Sequence, residues 1–554
     1  MKCSKPGVVL ALLVTAAILL ADRAAWASVA QWREDAATNL WLGYTRSPLD
    51  APVGLVSSVE VPNPNGVVLA SFFLSRLPDL WAVSVCLGLL QAVFIGWVCW
   101  LITRDWALFL LVVGPLWSCV TLRGASVELS NQLLFIPVNL LFFTAIILHL
   151  RKPSPWVVPA AVGLSLLAAS LYLAGVANAV SYGIVLAIVL VIRPPRGSWR
   201  AWLAPLIISG AILGLSLWLT WLPYLQAVGF DQVLHGRATW HLTRMERILV
   251  SAESVVGFPY WLLAHFGTGL LSSTPQVDNR ILSATAWSGY RLLIRLGFFQ
   301  GLICYASILV ALVAHATRRR PGGDVIRAGM RPAAIVLLLM TVFIVGCYAL
   351  SPLSGGPVWV RNERLDQVTQ FLPLVLLIWF SIPFVLESSE YPARLLRGLT
   401  CVSSISYTLL SLAIGTLVVV ENLGYRGNVL PTADVPLFDK LHVVDFVASD
   451  WRSRSVIKEI PVDYDLGDRN WDWVRDFGRL YKKWYPAPYT IGRALDYQLL
   501  RSYGLQNSKE GVQLRSFGKG RYLVTYAFRR APVVDGCITQ DYVFGRLRVT
   551  IVER

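Results

Sequence analysis

The chain alternates long apolar runs with short polar connections, and the length of those runs decides the fold class. A helix needs about 20 apolar residues to cross roughly 30 Å of hydrocarbon. Runs near or at that length lie at residues 7–27, 82–102, 106–120, 132–149, 156–175, 177–192, 202–222, 295–315, 332–351, 369–386 and 399–420. They predict about eleven transmembrane helices, with 106–120 and 177–192 short enough to borrow flanking residues. One further stretch, Val255–Leu271, is apolar for 17 residues but is interrupted by Pro259 and three glycines. It reads as an interfacial or re-entrant piece, because a crossing there would invert every later connection. Just upstream, Leu242, Met245, Ile248 and Leu249 recur at helical spacing among Arg244, Glu246 and Arg247, the pattern of an amphipathic helix lying on a bilayer.

Past residue 420 the pattern changes. Phe438–Trp451 keeps apolar residues at helical spacing, whereas R-Y-L-V-T-Y-A-F and G-R-L-R-V-T-I-V-E are β-branched, aromatic and partly alternating, which predicts strands. Residues 421–554 suffice for one small folded domain. The expected fold is therefore mainly α: a polytopic membrane protein over residues 1–420 with a small C-terminal α/β domain over 421–554.

Composition sharpens this. The chain is 55% hydrophobic and 15% charged, against an apolar share of about 45–50% in soluble domains. The net charge of +16 is read from its placement. Lys2 and Lys5, Arg104, Arg151 and Lys152, Arg193, Arg196 and Arg200, Arg318–Arg320, and Arg394 with Arg397 occupy alternate connections, and the intervening short loops carry few basic residues. By the positive-inside rule this places the N-terminus in the cytoplasm. Loop 28–81, loop 223–293 and the C-terminal domain then lie outside it, with the chain in the plasma (inner) membrane. The A-W-A-S at Ala25–Ser28 resembles a signal-peptide cleavage site, but the topology requires the first helix to be retained. No basic block is interleaved with aromatics, so nucleic acid is not an expected partner. Six of the eight cysteines fall inside apolar runs and no C-x-x-C spacing occurs, so no disulfide framework or thiolate metal site is expected. His235 and His241 are six apart and do not share a helix face. The tryptophans gather at segment ends, as an interfacial belt does.

The candidate chemistry lies in the first outer loop. Gln31–Gly66 begins about one turn past the first apolar run and carries Glu34 and Asp35 side by side, then the turn Pro62-Asn63-Pro64-Asn65-Gly66. Carboxylates held beside lipid are more often functional than solvated ones; the competing reading is an acidic pair that starts a short surface helix. Glu128, with Arg123 nearby, stands in the next outer loop, where it could equally be a dipole partner at a helix start. Arg361 and Arg364 precede the tenth run, against the charge trend, and could grip a phosphate or serve as snorkelling anchors. The helices themselves are expected to hold only weakly polar residues, such as Gln91 and Asn139.

An acidic pair after the first helix followed by a Pro/Asn-rich turn resembles the GT-C superfamily of membrane glycosyltransferases, which includes protein O-mannosyltransferases and the lipid A aminoarabinose transferase. The resemblance implies inverting transfer from a polyprenyl-phosphate sugar to an extracytoplasmic acceptor, with Asp35 or Glu34 as base and Glu128 as the second acid. It gives Arg123, Asn63, Asn65, Arg361 and Arg364 to substrate binding, and a divalent cation, Mg or Mn, as an assisting group. The pair here is Glu-Asp rather than Asp-Glu, and the turn lacks the family's His. Two other classes remain open: a transporter or flippase of lipid-linked glycans, and a glycan polymerase or ligase.

Overall fold

The computed structural model describes residues 5–30, 32, 34–46, 53–56, 62–103, 106–118, 123–124, 126–127, 129, 134–173, 175–195, 198–235, 391–424, 435–465, 493–507, 522–527 and 538–553. The described residues are mostly helical. In chain order they form α1 (Lys5–Val29), α2 (Glu34–Thr45), β1 (Val53–Val56), β2 (Pro62–Pro64), α3 (Gly66–Leu74), α4 (Leu80–Thr103) and α5 (Trp106–Ser118). Then come α6 (Phe135–Arg151), α7 (Val157–Leu171), α8 (Gly175–Ile192), α9 (Arg200–Val228), α10 (Phe230–His235) and α11 (Tyr391–Gly424). Eight of the expected apolar runs are thus helices; 295–315, 332–351 and 369–386, like Val255–Leu271, lie outside the described residues. Two helices, Leu80–Leu101 and Arg200–Val228, are long and apolar enough to cross a membrane. By that measure two of the eleven expected crossings are met among the described residues; other described apolar stretches, such as Pro137–Leu150 and Val157–Leu171, are 10–17 residues long.

Two prolines show how the bundle satisfies its backbone. Pro115 inside α5 has no N–H to give the Leu111 carbonyl, and the Ser404 hydroxyl of α11 donates to that oxygen instead, at 2.6 Å. Pro223 follows a π-helical turn, Leu217–Trp221, in the last third of α9; a proline that cannot close the ladder is a known cause of such a bulge. Along α9 the apolar side chains stay outside: Ile207 is 62% and Trp218 73% exposed. Water would penalise such a face, at about 25 cal/mol per Å² of apolar surface.

Side-chain contacts fix helix directions. Trp81 of α4 donates to Ser28 of α1, and Trp117 of α5 donates to the Ala92 carbonyl of α4, so successive helices turn back on one another. One pole collects the ends Val29, Ser118, Leu171, Val228 and Gly424, where Leu173 bonds Asn63 and Tyr224 bonds Pro62. At the opposite pole His149 closes the turn between α6 and α7: its Nδ1 lies within hydrogen-bond distance of the Ser154 backbone and its Nε2 donates to the Arg193 carbonyl.

The C-terminal part comprises α12 (Leu437–Arg454), β3 (Glu459–Ile460), β4 (Val462–Asp465), α13 (Arg493–Tyr503), β5 (Gln506–Asn507), β6 (Tyr522–Tyr526), β7 (Ile538–Phe544) and β8 (Leu547–Glu553). The expected helix and both expected strands are present. Four strands form a sheet in the order β4-β6-β8-β7, with β4 and β6 parallel and the other neighbours antiparallel. A parallel pair needs a long crossover, which contains α13. Val443, Val444, Val447 and Trp451 of α12 pack on Tyr522, Val524, Val549 and Ile551, a second core distinct from that of the helical bundle. The β7–β8 hairpin turns on Gly545, whose φ of 57° suits glycine; the half-buried Asp439 carboxylate lies where a Cβ would sit and accepts the Arg546 N–H at 2.9 Å.

Candidate functional site at the first-loop pole

The acidic pair opens α2. Glu34 and Asp35 are its first two residues, a position where the helix dipole favours carboxylates. The segment leading into them is unusually constrained. Trp32 is fully buried and has a φ of 43°, the single positive value at a non-glycine residue among those described. Its indole Nε1 donates to Ser84 Oγ of α4 at 2.7 Å, and Ser84 Oγ donates to the Val127 carbonyl at 2.7 Å. This two-bond chain ties residue 32 to residue 127. It therefore brings the segment carrying Glu34 and Asp35 beside the one that runs into Glu128, which itself lies outside the described residues.

The Pro/Asn turn is equally committed. Asn63 and Asn65 are both 2% exposed; the Asn63 side-chain oxygen accepts the Leu173 N–H at 3.0 Å, capping the exit of α7, and the Asn65 carbonyl accepts the Leu69 N–H. Gly66 lies against Ser170, so close that a Cβ would come within 2.6 Å of the Ser170 carbonyl oxygen. Tyr224 of α9 donates to the Pro62 carbonyl at 2.7 Å. These contacts place the turn as a wedge between α7 and α9. A substrate would have to displace them to reach Asn63 or Asn65.

Arg123 also has an internal assignment. Its guanidinium donates to Asp22 at 2.7 Å and to the Ser411 carbonyl of α11 at 2.8 Å, and lies over Trp26. Arg23, fully buried, shares the same carboxylate at 2.9 Å and reaches the Trp117 carbonyl. This charged cluster corrects the expectation that the helices hold only weakly polar residues. Asp22 and Arg23 sit within α1, two turns before its end, where an apolar average over the run hides an adjacent pair of opposite charges. Asn139 is polar as expected, accepting from Asn178 and Tyr182 between α6 and α8.

The C-terminal domain reaches this pole. Leu437 donates its N–H to the Ala30 carbonyl at 2.7 Å, and Lys440 Nζ donates to the Trp32 carbonyl at 3.2 Å. From α13, Gln498 accepts the Leu80 N–H at the start of α4, Tyr497 donates to the Ser75 carbonyl, and Arg501 donates to those of Arg76 and Leu77. Tyr497 stands edge-on to Tyr44 of α2, and burial raises its hydroxyl pKa well above the ordinary range. None of these long-range partners had a signal in the sequence. Arg361 and Arg364 fall outside the described residues. Among the described residues no three His, Cys, Asp or Glu side chains converge as a metal site requires.

The chain matches no protein-family model, no curated protein and no solved structure.

Proposed function

We propose that the chain is a multi-pass membrane glycosyltransferase that moves a sugar from a polyprenyl-phosphate donor to an acceptor outside the cytoplasm. The observation that carries this reading is the Trp32–Ser84–Val127 chain, which joins the two acid-bearing segments at one end of the bundle. Asp35 or Glu34 deprotonates the acceptor hydroxyl; the oxygen attacks the anomeric carbon with inversion, and the lipid phosphate leaves with the bonding electron pair. Arg361 and Arg364 are assigned to that departing charge. The oxygen donors of Glu34, Asp35 and Glu128 suit a Mg or Mn ion, which would supply further stabilisation of the phosphate.

Helix direction supports the topology. α9 and α11 both end at the first-loop pole, which requires an odd number of crossings between them. The three apolar runs at 295–315, 332–351 and 369–386 meet that requirement, and a crossing by Val255–Leu271 would break it. The opposite pole carries the turns with Arg151, Lys152 and Arg193, as a cytoplasmic face does. The C-terminal domain, docked at the first-loop pole, is then extracytoplasmic.

The test is Asp35→Asn in membranes supplied with radiolabelled polyprenyl-phosphate sugars from the host lipid extract. Loss of a general base is expected to cost about 10²–10⁴ in rate with membrane insertion unchanged. Transfer at the wild-type rate by both Asp35→Asn and Glu34→Gln overturns the assignment. The second reading, a transporter or flippase of lipid-linked glycans, is favoured by one observation: the Asp22–Arg23–Arg123 cluster, since ionisable groups inside membrane helices mark translocation pathways. It predicts that Asp22→Asn abolishes lipid movement across the bilayer while Asp35→Asn leaves it intact.

A further inference from the structure

We propose that Lys440, in the C-terminal domain, is a positioning residue for the acid pair: its ammonium holds the Trp32 carbonyl and with it the left-handed turn from which α2 starts. The inference rests on the proposed function and adds a partner for the catalytic segment that lies 408 residues away in sequence.

A tryptophan at φ 43° costs on the order of 1–3 kcal/mol and persists only where the surroundings over-determine it. Here three anchors do so. The indole is fully buried and bonded to Ser84. The Leu437 N–H holds the Ala30 carbonyl at 2.7 Å, two residues upstream. The Trp32 carbonyl accepts from the Lys440 ammonium at 3.2 Å. Two of the three come from the first turn of α12, so the domain sets the direction in which the chain leaves α1 and enters α2. The rest of the domain is fastened nearby, through Arg501 to residues 76 and 77 and through Gln498 to Leu80, which keeps Lys440 from drifting away with its helix. A bond from a charged donor to a carbonyl is stronger than a neutral one, and it delivers that strength two residues before Glu34. Misplacing a reacting group by about 1 Å costs on the order of 10²-fold in rate, so a device that fixes this turn acts on turnover rather than on donor affinity.

Lys440→Met and Lys440→Arg in the full-length protein, in detergent, separate anchoring from transfer. Amide hydrogen exchange reads the anchor: in Lys440→Met, exchange over residues 32–38 is expected to accelerate about tenfold or more while Tyr522–Tyr526 is unchanged, and Lys440→Arg stays near wild type. Transfer from radiolabelled polyprenyl-phosphate sugar reads the consequence: kcat falls about 10–100-fold in Lys440→Met with KM within about twofold, and Lys440→Arg restores it. Unchanged exchange over 32–38 overturns the proposal, as does a rise in KM at constant kcat or a failure of Arg to rescue. Should the wild-type protein transfer nothing from that donor while exchange still responds to Lys440→Met, the glycosyltransferase reading falls and the anchoring stands on exchange alone.

Discussion

The two poles of the helical bundle are held together by different kinds of contact. Among the described residues, the bonds at the pole of His149 are local or join neighbouring turns, as between His149 and Ser154 or Arg193 and Leu150. At the first-loop pole, buried polar groups reach across the whole chain: Arg123 to Ser411, Leu80 to Gln498, Trp32 to Lys440. Short basic turns need only to reverse direction. The first loop is fixed by distant partners, and the loop-closure entropy of bringing them together is repaid only by strong, desolvated bonds.

The comparison breaks most readily at Asp22. One carboxylate serves two buried guanidiniums, Arg23 and Arg123, so Asp22→Ala leaves buried charge uncompensated, a loss of about 3–5 kcal/mol. The protein is expected to be recovered poorly, with a collapsed thermal midpoint in detergent. His149→Ala at the other pole removes bonds to the backbone of Ser154 and Arg193 and is expected to cost about 1–2 kcal/mol. Equal losses from the two substitutions would erase the contrast between the poles. Gly43→Ala should follow Asp22→Ala in size, because an added Cβ would lie 2.5 Å from the Ser71 backbone and force α2 from α3. Overpacking of this kind costs about 1–3 kcal/mol, and with α2 displaced, transfer should fall even in the fraction that folds, as activity per folded molecule would report. Ser404→Ala, which strips the Leu111 carbonyl of its donor beside Pro115, is expected to cost about 1–3 kcal/mol with transfer per folded molecule unaffected.

What was legible in advance follows the same division. Apolar runs long enough to fill a bundle announce their helices, and Phe438–Trp451 and the two late strands announce theirs, because each signal is local. The acid pair at the start of α2 was visible as residue types. Its support was not: the left-handed Trp32, its bond to Ser84 and the reach of Lys440 depend on partners tens to hundreds of residues apart, which no periodicity records. Asp22 and Arg23 were hidden for a different reason, since two adjacent opposite charges barely alter the apolar character of the run around them. The sheet order, with β4 and β6 parallel, likewise depends on a crossover whose length the strand pattern does not specify.

The smallest effect sharpens the boundary between the domain and the pole it grips. Asp439 neighbours Lys440 and is held by the Arg546 N–H, yet burial raises its pKa above the usual 3.8, outweighing that bond and the nearby charges of Arg546, His442 and Lys440. A carboxyl whose folded pKa is raised binds its proton more tightly when folded, so the folded state is favoured below the unfolded value. That advantage is lost as pH climbs from about 3.8 through the folded value. Asp439→Asn keeps an oxygen for the Arg546 N–H and removes the titration. It should flatten this pH dependence of the thermal midpoint, with a net change within about 1 kcal/mol at neutral pH, and leave exchange over residues 32–38 as in wild type. Faster exchange there in Asp439→Asn would mean that the charge beside Lys440, and not the Lys440 bond to Trp32 alone, holds the turn.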